Sequence, residues 1–171
     1  MSTTFPETTL GAGRLRELGE DDLGDVQSLF QRCEDYFLLH EDRPPTATEA
    51  RDEWDAVPDA TPRSLKHLIG LLVPELVGVV EVVRDWPRAG TQNVGLLLLD
   101  PSARGRGAGQ QVVGAVDDWA AATGAATLRI TVDPANTDGM RFWKRLGFRP
   151  VPAVGAHPTA MAFERPVAGA R

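Results

Sequence analysis

The sequence predicts an α/β domain on a mixed sheet, and three observations carry that expectation. Between Val94 and Val132 the chain reads strand, glycine-rich turn, helix, strand, a crossover that joins parallel strands with right-handed sense. Strand-like runs joined by short connections flank it on both sides and read as antiparallel pairs. The length of 171 residues, 42% hydrophobic and 25% charged, suits one ordinary globular domain with its own core. The resulting expectation is about seven mostly antiparallel strands and about four helices. A single domain spans residues 1–171, with 1–12 and 167–171 as flexible ends.

In order, Arg14 to Leu18 alternates as a first strand, and Asp21 or Asp22 caps a helix burying Leu23, Val26, Leu29, Phe30 and Cys33. Glu34 to His40 reads as an aromatic and acidic connector, broken by Pro44-Pro45. Thr46 or Thr48 opens a second helix through Ala50 and Trp54. Lys66 to Val73 and Leu76 to Arg84 form a hairpin about Pro74. Leu96 to Leu99 is a continuous apolar run, as in a strand buried on both faces, and Asp100-Pro101 stops it. Val112, Val113, Val116, Trp119 and Ala120 recur at helical spacing, with Gly124 as the stop. Ala126 to Val132 is the next strand, and Asn136 caps a helix that turns Met140, Trp143 and Leu146 inward. Phe148 to Val154 and Thr159 to Glu164 close the sheet as an antiparallel pair around Pro152 to Pro158.

The chemistry concentrates in Arg104-Gly-Arg-Gly-Ala-Gly109, between a strand and a helix. Glycines let the backbone bend tightly, so amides at the helix start can face an anion, and the helix dipole and two guanidinium groups favour negative charge there. A Walker loop would need lysine, and none lies near this turn. The dinucleotide fingerprint Gly-x-Gly-x-x-Gly also fails, because its third glycine position holds Gln110 or Val112. A tight turn that binds nothing is the bland alternative, and two arginines among three glycines speak against it.

Composition narrows the partners. Twenty-four acidic and 18 basic residues give a formal charge of −6, which makes nucleic acid an unsuitable partner for the surface as a whole. No apolar run approaches a membrane span and the N-terminus lacks a leader pattern, so a cytoplasmic protein is expected. Cys33 is the only cysteine and the three histidines are scattered, so neither a disulfide nor a metal site is expected.

Arg104-x-x-Gly107-x-Gly109 after the strand resembles the pyrophosphate-binding segment of the GNAT superfamily, the acyl-CoA-dependent N-acetyltransferases. Asn136-x-x-Gly-x-x-Phe142-Trp143-x-x-Leu-Gly147-Phe148 resembles a second segment of that family. The resemblance runs from about Leu76 to Phe148. It implies a GNAT-like fold in which a central parallel pair of strands splays around CoA. It further implies that backbone groups of Leu97, Leu98 and Leu99 pair with the pantetheine arm. On the same footing Gly105, Gly107, Ala108 and Gly109 hold the pyrophosphate beside Arg104 and Arg106, while Asn136 and Trp143 border the cofactor channel. Asn136 as a plain helix cap is equally consistent with its position.

The implied reaction moves the acetyl group of acetyl-CoA to an amine acceptor, a small molecule or a peptide, by direct attack. A strand amide near Leu98 or Leu99 is the implied oxyanion donor. Glu81, a carboxylate among strand valines, is the candidate base, with an outward-facing residue as the plain alternative. Tyr36, the sole tyrosine, is a weak candidate acid and equally a packed aromatic. The sequence departs from the family at Trp143, where a tyrosine is usual and an indole cannot protonate a leaving thiolate. A CoA-binding sensor or scaffold with impaired catalysis is therefore the rival reading. A homodimer is among the assemblies that the resemblance allows.

Overall fold

The computed structural model describes residues 3–154 and 160–169. Eight strands form one sheet: β1 (Thr8–Leu10), β2 (Gly13–Glu17), β3 (Lys66–Val73), β4 (Glu75–Arg84), β5 (Thr91–Leu99), β6 (Thr127–Val132), β7 (Arg149–Val151) and β8 (Met161–Pro166). Their spatial order is β1-β2-β3-β4-β5-β6-β8-β7. Every pairing is antiparallel except β5 with β6, which a helical crossover joins in parallel. Five α-helices accompany the sheet: α1 (Leu23–Arg32), α2 (Glu34–Glu41), α3 (Glu49–Asp55), α4 (Ala108–Ala122) and α5 (Thr137–Arg145).

The counts exceed the expected seven strands and four helices by β1 and α2. Residues 3–12, expected as a flexible end, instead carry β1 and bury Phe5, whose ring meets Trp119 edge-on at 5.5 Å. Val167, also expected to be loose, is buried and donates its N–H to the Ala126 carbonyl at 2.9 Å. The expected connector Glu34 to His40 is α2, restarted after a break at Cys33. The connector Pro152 to Pro158 and the strand start at Thr159 fall partly outside the described residues.

Alternation along the strands divides the core in two. Val80, Val82 and Val94 pack with Val112, Val116 and Trp119 of α4. Val79, Leu96 and Leu98 pack with Val26, Leu29 and Phe30 of α1. Val94 and Leu96 are two residues apart and would share a face in a regular strand. They lie in opposite clusters because the ladder steps from Glu81↔Leu96 to Val82↔Val94, leaving Gly95 as an extra residue. Such a bulge bends its strand and resets which side chains face which way.

Candidate active site

That bulge opens the site. Pairing of β5 with β6 runs from Thr91↔Thr127 to Val94↔Ile130 and stops there. Gly95 permits the geometry because its missing side chain leaves room for a carboxylate: a Cβ there would stand 2.6 Å from Glu81 Oε1. Beyond it, Leu97 to Leu99 remain paired to β4 on one edge and border a cavity of about 440 Å³ on the other. Asn136, Phe142 and Trp143 line the far wall.

At the end of β5, Asp100 organises the turn. Its Oδ1 accepts the Ser102 N–H at 2.9 Å and hydroxyl at 2.6 Å, and Arg32 Nε donates to Oδ2 at 2.5 Å. The Ser102 hydroxyl, then Arg32, hold the Asp100 carboxyl down at about 2. Gly105 and Gly107 then adopt φ of 73° and 80°, the left-handed region that other residues enter only with strain. The Gln111 N–H makes the first bond of α4, to the Gly107 carbonyl at 3.1 Å. Amides ahead of it are the orphans that every helix start leaves, and they border a second cavity of about 400 Å³. Gly105, Gly107, Ala108 and Gly109 all line it, so the residues fit a diphosphate.

The two arginines of the turn part company. Arg104 lines both cavities and is held there by protein groups: its Nε donates to the Leu99 carbonyl at 2.8 Å and its guanidinium grips Asp35 of α2, with Nη2 at 3.1 Å. Arg106 is exposed and makes no ion pair among the described residues. Sequence reasoning missed Arg145, which reaches the second cavity from the last turn of α5. Its only signal is its place on the helix whose cap is Asn136.

Across the cleft, Asn136 both caps and lines. Its Oδ1 accepts the Gly139 N–H at 2.9 Å, which orients the amide so that Nδ2 points to His40 Nε2, 3.4 Å away. His40 comes from α2, stacks on Tyr36 at 4.0 Å between ring centroids, and bonds through Nδ1 to the Tyr36 carbonyl at 2.7 Å. Trp143 is buried between Phe142 and Phe148, with edge-on contacts at 4.9 and 5.1 Å, and shows one side to the cavity. Tyr36 lines the cavity too. Burial first, then the Glu53 and Glu41 carboxylates, push its phenol well above the ordinary range, so it keeps its proton.

Glu81 lies behind this wall rather than in it. It is buried under Gly95, 3.2 Å from Lys66 Nζ. Lys66 Nζ also donates to the Glu53 carboxylate at 2.9 Å and to the Ala56 carbonyl at 2.6 Å. Burial, helped by the Glu53 charge and opposed by Lys66, raises the Glu81 carboxyl well above its usual range. Cys33 Sγ donates to the Leu99 carbonyl at 3.4 Å, and burial pushes its thiol upward, which suits a packed thiol and not a nucleophile.

Comparison with known proteins agrees with this geometry. The family model for the acetyltransferase (GNAT) family matches residues 25–148. An acetyltransferase from Thermus thermophilus superimposes with a TM-score of 0.75 at 25% identity, covering 93% of this chain and 99% of that one. The PaiA N-acetyltransferase from Thermoplasma acidophilum, solved with coenzyme A, gives 0.68 at 15% identity, covering 90% and 98%. The ribosomal-protein-S18-alanine N-acetyltransferase from Escherichia coli gives 0.68 at 16% identity, covering 93% and 96%. No curated protein matches the chain in sequence. With a splayed parallel pair, an amide-lined turn and a family match over most of its length, the chain belongs to the GNAT family of acetyltransferases.

Proposed function

We propose that this protein is an N-acetyltransferase that moves the acetyl group of acetyl-CoA to an amine in a ternary complex. The observation that carries the reading is the union of two features in adjoining cavities: orphan amides at the start of α4 and the unpaired edge of β5. The amides of Gly105, Gly107, Ala108 and Gly109 take the diphosphate, with Arg106 and Arg145 supplying charge at its rim. The edge of Leu97 to Leu99 pairs with the amides of the pantetheine arm as an added strand. Arg104 holds that edge and the turn in register by bonding the Leu99 carbonyl. The Leu99 amide stabilises the oxyanion as the thioester carbonyl is attacked. Asn136 and Trp143 shape the channel wall.

Glu81 has a supporting part here: it fills the space beneath the bulge beside Lys66. Taking the amine proton is not assigned to Glu81 in this reading, because its carboxyl is buried against Gly95 and paired with Lys66. Tyr36 lines the channel wall, stacked on His40. One domain in the cytoplasm, working on a small-molecule or peptide amine, completes the proposal.

The rival, a CoA-binding sensor of the same fold, draws on Trp143, whose indole offers no acid to a departing thiolate. Thiol release from acetyl-CoA across a panel of primary amines separates the two. The enzyme reading expects amine-dependent, saturable release. Binding of acetyl-CoA without any such release would favour the sensor.

A further inference from the structure

We propose that His40 Nε2 is the proton acceptor for the attacking amine, an inference that rests on the acetyltransferase reading above. Three geometric facts support it. A carbonyl oxygen can only accept, so the 2.7 Å contact to the Tyr36 carbonyl requires the proton on His40 Nδ1. That leaves Nε2 as a bare lone pair in the neutral ring, and Asn136 Nδ2 approaches it as donor at 3.4 Å, a long contact that a competing N–H displaces. His40 also lines both the main cavity and a smaller one of about 70 Å³ at the fork, where Gly95, Val132 and Asp133 meet. Its ring therefore stands at the junction of the donor channel and the fork of β5 and β6.

The surroundings suit the task. Stacking on Tyr36 and the bond to its carbonyl fix the plane and tautomer of the imidazole. The charged groups facing it come from each neighbouring element. Asp133 and Asp138 lie on the β6–α5 side, Asp138 paired with Arg141. Asp35 and Arg104, paired together, border the main cavity. Glu41, next to His40 on α2, is paired with Arg43, while β5 presents only Val94, Gly95 and leucines. Asp133, which makes no ion pair among the described residues, favours an incoming ammonium at the fork.

In the step assigned, His40 Nε2 takes one proton from the acceptor ammonium, freeing the nitrogen lone pair. The N–C bond forms at the thioester carbonyl, the C–S bond breaks with its electron pair leaving on sulfur, and the surplus proton on nitrogen passes to that thiolate. The products are amide and free CoA thiol, with one proton held on the imidazolium for release to water.

The test compares wild type, His40→Gln, His40→Ala and Glu81→Gln by thiol release against pH, with acetyl-CoA affinity measured calorimetrically. His40→Gln is expected to lower kcat/KM near neutral pH by about 10²- to 10⁴-fold, the usual worth of a general base. Acetyl-CoA affinity stays within about threefold, the acidic limb of the profile disappears, and added imidazole restores His40→Ala. A merely structural histidine would show neither the altered profile nor the rescue. Retention of rate and acidic limb by His40→Gln, or their loss in Glu81→Gln alone, overturns the assignment. Wild-type protein that binds acetyl-CoA but releases no thiol with any amine overturns the acetyltransferase reading itself, and this proposal with it.

Discussion

Arg104 and Asp35, 69 residues apart in sequence, form an ion pair that ties the glycine-rich turn to α2. The same guanidinium group's Nε donates to the Leu99 carbonyl, so one side chain couples the end of β5, the turn and the helix that carries Tyr36 and His40. An arginine set among the glycines of the turn thus works as a brace.

The brace makes a distinguishable prediction. Arg104→Ala is expected to lower the melting temperature and weaken acetyl-CoA binding together, because the turn loses its anchor. Arg106→Ala should leave melting unchanged and weaken binding by about tenfold at low salt, with a shallower salt dependence. Asp35→Asn decides the point. If Arg104 were held back from phosphate by Asp35, the variant would bind acetyl-CoA more tightly; the brace predicts weaker binding, measured by calorimetry.

Asp100 gives a pH signature. Its carboxyl sits at about 2 in the folded state against an ordinary 3.8, because the Ser102 hydroxyl and then Arg32 stabilise the anion. A depressed carboxyl contributes stability that is complete above its unfolded value and lost as pH falls through the folded one. Urea unfolding between about pH 5 and pH 2 is therefore expected to lose stability more steeply in wild type than in Asp100→Asn.

Glu81 predicts the opposite slope. Burial raises its carboxyl, so the folded state prefers it protonated, and its contribution is greatest below the ordinary 4.5 and declines as pH rises toward the folded value. Glu81→Gln is expected to be neutral or stabilising at pH 8, because Lys66 keeps the Glu53 carboxylate and the Ala56 carbonyl. Lys66→Met should cost about 3–5 kcal/mol, since it leaves the buried Glu81 carboxyl, the half-buried Glu53 carboxylate and the Ala56 carbonyl without their cation. Denaturant midpoints at pH 5 and pH 8 check both.

Much of this architecture is legible in the residues alone. The run from Val94 to Val132 announces itself because a buried strand, positive-φ glycines and a 3.6-residue period each leave distinct marks. Asn136 reads as a cap and holds that place, with Oδ1 on the Gly139 amide. Helix α2 is hidden because Leu38 and Leu39 are exposed while Phe37 is buried, so its apolar residues trace no stripe. Strand β1 has three residues, too few for alternation to register, and only its pairing with Leu15 and its neighbours in β2 makes it a strand. Spacing places Arg104 beside the glycines, but a long side chain can turn toward a ligand or toward its own backbone, and spacing does not choose. His40 has no meaning alone. It gains one when α2 lies against the fork and brings it, 96 residues away in sequence, to Asn136.

The central claim is that the turn from Gly105 to Gly109 and the free edge of β5 together bind acetyl-CoA. A calorimetric titration of the intact protein tests it most directly. Saturable binding of one acetyl-CoA per chain, with no comparable heat from ATP or NAD, is the predicted result. Absence of saturable acetyl-CoA binding, or tighter binding of ATP, would contradict it.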